Sequence, residues 1–417
     1  MKFSFAVALA GLGISTAHAA EPSAILDTYA DVALAGYEDS LETARSLQSA
    51  VEALVADPSK GTLTAAREAW LASRVPYQQT EAYRFGNAIV DEWEGKVNAW
   101  PLDEGLIDYV DASYGTESDV NAFYTVNVIA NDHVSVGGET VEVSEITPAV
   151  IQSLHELGGI EANVATGYHA VEFLLWGQDL NGTGPGAGER PYTDFDPENC
   201  TGGHCERRAQ YLTAAASLLV SDLEEMVANW QEDGAARKAL TDGDPDAGLT
   251  AILTGLGSLS YGELAGERMK LGLLLNDPEE EHDCFSDNTH NSHFYDIVGI
   301  NNVYFGRYER TNGETVEGPS LAELVREKDS ALADEVEAKL AATLEAAEAL
   351  KERAETTEAY DQMIGEGNDE GNAAVQAVID GLVGQTRSLE RTIAALDLSG
   401  VTIEGSDSLD NPDAVFQ

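Results

Sequence analysis

The sequence predicts an all-α protein made of two helical-bundle halves, with at most a small β-hairpin insertion. Three observations lead to this fold class. Apolar residues recur at spacings of three and four over most of the chain. Several of these runs are long and their connections are short, which is typical of helical bundles. A Gly-rich loop separates the runs into two groups. We therefore expect an N-terminal half at residues 20–203, a C-terminal half at 204–399 and a tail at 400–417.

The first two helices are predicted near the N-terminus. Residues 24–55 carry apolar side chains at helical spacing, and Asp57-Pro58 follows as a stop. A second helix is expected over residues 62–85. Pro76 lies inside it and should kink it, because proline removes one backbone hydrogen bond of the helix.

The middle of the chain mixes several patterns. Residues 134–136 and 140–143 flank Gly137-Gly138, which predicts a small hairpin. A third helical run covers residues 148–176 and is interrupted by Gly158-Gly159. The Gly-, Pro- and Asp-rich residues 181–203 predict a long loop, and loops of this length are often functional.

The second half is again mostly helical. A polar segment at 276–291 divides it, and the tail after Ser399 is expected to fray. Helices are predicted at residues 206–230, 248–275, 320–357 and 371–396.

The N-terminus has the pattern of a secretory signal peptide at residues 1–19. Lys2 precedes an apolar run over residues 3–14, and Ala17-His18-Ala19 forms a cleavage site of small residues. The alternative is an ordinary apolar N-terminal helix. No cysteine lies near the cleavage site, which argues against a lipoprotein, and no later stretch is apolar enough to cross a membrane. We expect a soluble protein of the periplasm or cell envelope.

The charge balance excludes some partners. The formal net charge of −51 argues against nucleic acid, whose phosphates need Lys and Arg, and disfavours anionic membrane surfaces. It permits cations. Most of these carboxylates are expected to form an ordinary solvated surface.

The three cysteines predict one disulfide in an oxidising compartment. Cys200 and Cys205 are close enough to pair across a short loop, which leaves Cys284. A bridge from Cys284 to either of the others stays open, because sequence does not determine connectivity.

The clearest candidate for chemistry is the pair His169 and Glu172. Three residues apart on a helical run, the two side chains share a face. An imidazole and a carboxylate at this spacing can bind one transition metal ion. The alternative is a surface histidine beside a solvated glutamate. The apolar residues 173–176 follow directly and indicate burial, so both groups need partners.

A second candidate is a stripe of residues at spacings of three and four. Its members are Trp70, Arg74, Tyr77, Glu81 and Arg84. Aromatic rings, two guanidinium groups and a carboxylate are unusual on a core face. One interpretation is a helix–helix contact in which Glu81 pairs with an arginine. The other is that Glu81 faces His169 as a further ligand, with Arg74 or Arg84 supporting it.

A third candidate lies in the polar segment that opens at Asp283. Asp287, His290, His293 and Asp296 recur at every third residue and form a possible ligand set. The alternative is a polar loop that caps a helix, with Asp287 or Asn288 at the N-cap.

Common hydrolase motifs are absent from the sequence. His155-Glu156 is not followed by a second histidine at the spacing of zinc peptidases, and the inverted motif fails after Glu172. No Gly-x-Ser-x-Gly elbow or P-loop occurs either.

Several of these motifs together resemble the imelysin family. They are Gly167-x-His169-x-x-Glu172, the Trp70-to-Arg84 stripe and Trp100-Pro101-Leu102-Asp103. Further segments resemble its iron-regulated protein A type. They are Gly184-Pro185-Gly186, Arg190-Pro191, Cys205-Glu206-Arg207-Arg208, Gly266-Glu267-Arg268-Met269 and the segment from Cys284 to His290. The resemblance covers nearly the whole mature chain.

The resemblance implies a helical fold of two bundle-like halves, a cell-envelope location and a role in iron or haem acquisition. It implies His169 and Glu172 as a metal pair and, less directly, Glu81 and Asp103 as further ligands. Some members are classed as metallopeptidases. Many relatives carry a lipobox cysteine that this chain lacks.

We therefore expect a protein that binds iron, another divalent metal or haem. Its expected protein partners are other iron-uptake proteins of the cell envelope. Two alternatives stay open: a metallopeptidase of the imelysin type and a helical adaptor of the envelope. Peptidase activity is disfavoured because the sequence offers one ligand pair and no nearby third ligand or base.

Overall fold

Helices form most of the chain in a computed structural model that describes residues 21–136 and 139–416, with only the backbone of Glu139. The predicted signal peptide lies outside the described residues. The first six helices are α1 (Pro22–Ala56), α2 (Lys60–Gln78), α3 (Ala88–Asn98), α4 (Pro148–Leu154), α5 (Gly167–Trp176) and α6 (Cys205–Trp230). The next four are α7 (Ala235–Thr241), α8 (Pro245–Ser258), α9 (Leu271–Leu275) and α10 (Thr289–Phe305). The last five are α11 (Leu321–Lys328), α12 (Ser330–Thr356), α13 (Tyr360–Ile364), α14 (Asp369–Ala395) and α15 (Asp407–Asp410).

The β-strands of the described residues form two small antiparallel hairpins. Strands β1 (His133–Val136) and β2 (Glu139–Glu142) form the predicted hairpin. Its turn, residues 137–138, is not described. A second hairpin of β3 (Arg307–Glu309) and β4 (Thr315–Glu317) was not predicted. The mostly helical fold class is confirmed.

The long helices pack side by side around one apolar core. Helix α1 packs against α2 and α6, and α12 packs against α14 and α10. The apolar stripe that predicted α1 is buried along its whole length, from Ile25 to Leu54. Because α1 contacts helices on both sides of residue 203, the division into two halves stays a prediction.

The second helix is shorter than predicted. Helix α2 ends at Gln78, two residues after Pro76, and a short 3-10 turn, Glu81–Tyr83, follows. Pro76 thus lies in the last turn of α2, where it supplies no N–H to the helix. The stripe from Trp70 to Arg84 is therefore split between α2 and this turn.

A π-helix, Leu259–Lys270, joins α8 to α9 in one continuous helical segment. The sequence predicted this segment as an ordinary helix. π-helical turns are rare and frequent at functional sites. Here the π-helix carries Glu263 and Arg268 toward the interior.

The C-terminal tail is not frayed. Residues 401–410 pack along the π-helix, where the Ser408 hydroxyl donates to the Gly266 carbonyl at 2.9 Å. The Tyr261 hydroxyl donates to Asp410 at 2.7 Å. Tail and π-helix therefore hold each other in place.

The predicted disulfide is confirmed. Cys200 and Cys205 are bonded, with their Cα atoms 5.9 Å apart, and Cys284 is a free thiol. The bridge closes the end of the Gly-rich loop onto the start of α6. None of the helices among the described residues combines the length and apolar character that a membrane span requires.

Candidate metal centre

Helix α5 places His169 and Glu172 in the protein interior. All ten residues of this helix are buried, so its polar face is enclosed by other elements. Gly167 starts the helix with φ of 80°, and a Cβ at this position would lie 2.4 Å from the Val97 carbonyl oxygen. Glycine is therefore required here, which gives the first residue of the Gly-x-His-x-x-Glu motif a structural role.

A second polar group comes from the segment between α9 and α10. His282 and Asp283 lie between two short 3-10 turns, and both are buried. The backbone N–H of Asp283 donates to the Thr289 hydroxyl at 3.0 Å, and the Asn288 amide donates to its carboxylate at 2.8 Å. The start of α10 thus holds this segment in one conformation.

Arg74 of α2 orients the Asp283 carboxylate. Its guanidinium donates to both oxygens, from Nη2 at 2.7 Å and from Nε at 3.2 Å. Its remaining Nη1 donates to the Asn98 side chain at 2.7 Å. This forked, charge-assisted pair is strong and geometrically specific, so it determines the direction of the carboxylate.

His169, His282 and Asp283 converge on one point. Their potential ligand atoms all lie within 4.8 Å of one another. Nδ1 of His169 is 3.9 Å from Oδ1 of Asp283, and Nδ1 of His282 is 4.0 Å from the same oxygen. Two ligands of one transition metal ion, each bound at about 2.1 Å, lie about 3.0 to 4.2 Å apart. Both distances to Asp283 lie within this range, which makes the three residues a candidate metal site.

Glu172 borders this group. Its Oε2 lies 3.1 Å from His169 Nδ1, and its Oε1 accepts from the backbone N–H and the hydroxyl of Ser286, at 3.0 and 2.6 Å. Glu172 therefore orients the His169 ring from beside the three residues whose ligand atoms converge. Its predicted ligand role stays a prediction.

The protonation states suit a cation. Burial lowers the pKa of His169 to about 3, with a further contribution from the charge of Arg74, and burial lowers the pKa of His282 well below its usual range. Burial opposes ionisation of Asp283, but Arg74 outweighs it and lowers the pKa of this carboxyl group to about 2. Two neutral imidazoles and a carboxylate at neutral pH are what metal ligation requires.

Two ring nitrogens of this group are unpartnered. Nε2 of His169 and Nδ1 of His282 are buried and have no hydrogen-bond partner within the described part of the chain. Buried polar atoms are normally satisfied, and an exception needs an explanation. A bound cation supplies one, because an imidazole nitrogen without a proton is a metal ligand.

Comparison with known proteins identifies the family. The family model described as Imelysin matches residues 33–389. This chain belongs to the imelysin family. It is similar to iron-regulated protein A of Synechococcus elongatus, 23% identical over 377 residues that cover 88% of this chain and 83% of the relative.

Two solved structures share the fold of this imelysin. One is of an iron-regulated protein A precursor from Parabacteroides distasonis, with a TM-score of 0.64, 18% identity and coverage of 92% of this chain and 97% of that one. The other is of an imelysin-like protein from Psychrobacter arcticum, with a TM-score of 0.57, 16% identity and coverage of 91% and 97%. At this level of identity they establish the fold alone.

Glu81 lies in the network that surrounds His169, His282 and Asp283, the candidate metal group. Its Oε2 accepts from Arg268 Nη2 at 2.6 Å, and its Oε1 accepts from the Asn98 amide at 3.4 Å. Asn98 also lies 3.4 Å from Nε2 of His282. Glu81 is thus connected to the group through Asn98, and its own charge is paired with Arg268. Its predicted ligand role stays a prediction.

Asp103 lies outside the group formed by His169, His282 and Asp283. It is half-buried, accepts from the Asn121 amide and lines a cavity of about 400 Å³ together with Tyr114, Glu279 and Cys284. It does not belong to the ligand group found among the described residues. The resemblance implied it as a ligand, and this role stays a prediction.

The remaining members of the stripe contact α5 or the π-helix. The Trp70 indole N–H donates to the Tyr168 carbonyl at 3.0 Å, and the Tyr77 ring packs on the Tyr168 ring at 4.7 Å. Arg84 pairs with Asp91 at 2.9 Å and with Glu263 at 3.3 Å. Arg74 alone of the two predicted arginines contacts the metal group.

The third candidate cluster lies at the start of α10. His290 and His293 are buried on this helix, and Asp287 precedes it in a left-handed conformation. Both ring nitrogens of His293 lack a hydrogen-bond partner in the described residues, and burial lowers the pKa of this residue to about 3. These residues flank the segment that carries Asp283. In the described ranges they are not part of the ligand group.

Sequence reasoning missed His282, Asn98 and Arg268 as members of this site, and it named Asp283 only as the start of the polar segment. His282 directly precedes Asp283, where the third cluster was recognised to open. The adjacent His-Asp pair was the available signal. It lies in a loop, where no periodicity indicates which side chains point inward.

Proposed function

We propose that this imelysin binds a divalent transition metal ion, with iron as its cargo, at His169, His282 and Asp283. The convergence of these three side chains carries the proposal. Two imidazoles and one carboxylate form the ligand set that non-haem ferrous iron prefers. Glu172 would complete the set, and a cation would displace the proton that burial favours on this carboxyl group, whose pKa is raised well above its usual value.

The relatives support iron as the cargo. The Synechococcus relative is named iron-regulated protein A, and the Parabacteroides structure is described as a precursor of such a protein. The description of the Parabacteroides relative as a precursor agrees with export of this chain through its predicted signal peptide. We propose that the mature protein acts in the cell envelope in iron acquisition, together with other uptake proteins.

Metal analysis and titration of purified protein test the site. The variants are His169→Ala, His282→Ala and Asp283→Asn, and the control is His133→Ala, an exposed histidine on β1. We expect each site variant to lose at least about 100-fold in affinity for Fe²⁺ or Co²⁺, since each removes one ligand. The control should bind like the wild type. Equal affinities in all four variants would refute the assignment.

Haem binding is examined in the same experiment. A Soret shift on adding haem that disappears in His169→Ala would make haem the ligand of this site. If haem does not compete with Co²⁺, the result would support the metal ion as the ligand of this site.

A metallopeptidase is the second candidate. Two histidines and a carboxylate also supply the three protein ligands of a hydrolytic metal site. However, all three side chains are at most 2% exposed, which leaves little access for a polypeptide. Metal-dependent cleavage of a protein substrate, abolished in His169→Ala and His282→Ala, would favour this candidate.

A further inference from the structure

A cavity of about 520 Å³ adjoins the metal group at His282. Helix α3, the π-helix and residues 156–161 contribute to its wall. His282 is the one member of the ligand group that lines it, next to Asn98 and Arg268. The cavity thus connects the neighbourhood of the buried site with the outer surface, where Glu156 and Glu161 are exposed.

The charge of this cavity is strongly negative. Seven carboxylates and two guanidinium groups line it: Asp91, Glu92, Glu94, Glu156, Glu161, Glu263, Glu267, Arg84 and Arg268. The arginines are engaged with Asp91, Glu94 and Glu263. Glu92, Glu156, Glu161 and Glu267 have no ion-pair partner in the ranges that the structure describes. Cavities with one sign of charge concentrate ions of the opposite sign and speed their association.

His282 provides an independent indication of a ligand. It is 1% exposed, and its Nδ1 has no hydrogen-bond partner among the described residues. This nitrogen lies 4.0 Å from the Asp283 carboxylate. A cation in the cavity therefore lies next to an imidazole of the metal group that has one unpartnered nitrogen.

We propose that this imelysin takes up its metal as a hydrated divalent cation through the acidic cavity at His282, and that it rejects anionic iron carriers. The inference rests on the proposed function and specifies the chemical form of its cargo. Haem and ferric citrate carry carboxylates, which the unpaired glutamates of the cavity repel. A hydrated cation is attracted by the same groups and exchanges water for His282 and then for Asp283.

Stopped-flow measurement of Co²⁺ association tests the route. The cavity variant is Glu156→Gln/Glu161→Gln/Glu267→Gln. The matched control is Glu42→Gln/Glu52→Gln/Glu232→Gln, which changes net charge equally at exposed residues outside the cavity. At low ionic strength we expect association about tenfold slower in the cavity variant and less than about twofold slower in the control. Added salt should slow the wild type toward the rate of the cavity variant. The single variants are measured as well, so that misfolding of the triple variant does not hide the effect.

The outcomes separate the two proposals. Normal Co²⁺ uptake with equal rates in the cavity and control variants would overturn the entry route alone. Haem or ferric citrate that competes with Co²⁺ for wild-type protein would overturn the rejection of anionic carriers. Absence of Co²⁺ uptake by the wild type would overturn the proposed function and the inference with it.

Discussion

Arg74 and Asp283 form a buried ion pair between α2 and the loop before α10. Both side chains are at most 1% exposed. A buried pair is costly to break, because the remaining charge is left without a partner. Here the pair also holds the carboxylate of the proposed metal ligand in one orientation, so its loss should affect both stability and binding.

Arg74→Lys tests this coupling. Lysine keeps the charge but cannot form the two-pronged contact of a guanidinium group. We expect the free energy of unfolding to fall by about 2 kcal/mol and the affinity for Co²⁺ to fall by at least about tenfold. Urea denaturation and metal titration measure the two effects.

Arg237→Lys is the matched control. Arg237 pairs with Asp31 at 2.6 Å, and that aspartate is largely exposed. Exposed ion pairs contribute about 0–1 kcal/mol, so both measurements should stay near the wild type. Unchanged metal affinity in Arg74→Lys would show that Arg74 does not position Asp283 for binding.

The start of α5 depends on close packing against α3. Gly167 combines a left-handed backbone conformation with direct contact to the Val97 carbonyl. Both features exclude a side chain, and His169 follows two residues later. Helix α5, which carries His169 and Glu172, therefore depends for its position on a glycine that takes no part in binding.

Gly167→Ala should destabilise the protein by more than about 3 kcal/mol, since the left-handed conformation costs about 1–2 kcal/mol and the contact with Val97 forces α5 to shift. Metal affinity should fall as well. Thermal denaturation and Co²⁺ titration measure these effects.

Gly313→Ala isolates the backbone contribution. Gly313 has a similar φ of 85°, but a Cβ there meets no atom within 4 Å. We expect a loss of about 1 kcal/mol and normal metal binding. Equal destabilisation by the two substitutions would mean that the contact with Val97 is unimportant.

The C-terminal tail ties the end of the chain to the network around the metal group. A Cβ at Gly262 would lie 2.7 Å from the Glu404 carbonyl, and one at Gly266 would lie 2.3 Å from Ser406. The same π-helix carries Arg268, which pairs with Glu81 at 2.6 Å and Asp296 at 3.3 Å. The tail therefore supports these ion pairs from outside.

Deletion of residues 401–417 should lower the free energy of unfolding by about 2–4 kcal/mol, because it exposes apolar surface of the π-helix. It should also weaken Co²⁺ binding, since Arg268 loses its support. Chemical denaturation and metal titration of the full chain and the deletion measure both.

Deletion of residues 411–417 is the control. It keeps the segment that contacts Gly262 and Gly266. We expect a much smaller loss of stability and wild-type metal affinity. A long deletion that binds Co²⁺ normally would separate the tail from the site.

Local features of this chain were predictable from its sequence. The helical periodicity, the hairpin around Gly137-Gly138 and the short-range disulfide each depend on residues close together in the chain. The pairing of His169 with Glu172 is of the same kind, because a helix always brings residues three apart onto one face. The resemblance to the imelysin family, based on motifs of this type, is confirmed over residues 33–389.

The partners of that pair depend on long-range packing. His282 and Asp283 reach His169 from more than a hundred residues away, through a loop whose backbone follows no period. Helix α2 ends at Gln78, so Glu81 lies beyond it and pairs with Arg268, while Arg74 within the helix holds Asp283. Spacing within one helix cannot predict these contacts. They arise when α2, α5, the π-helix and the start of α10 pack together and each buried charge must find a partner.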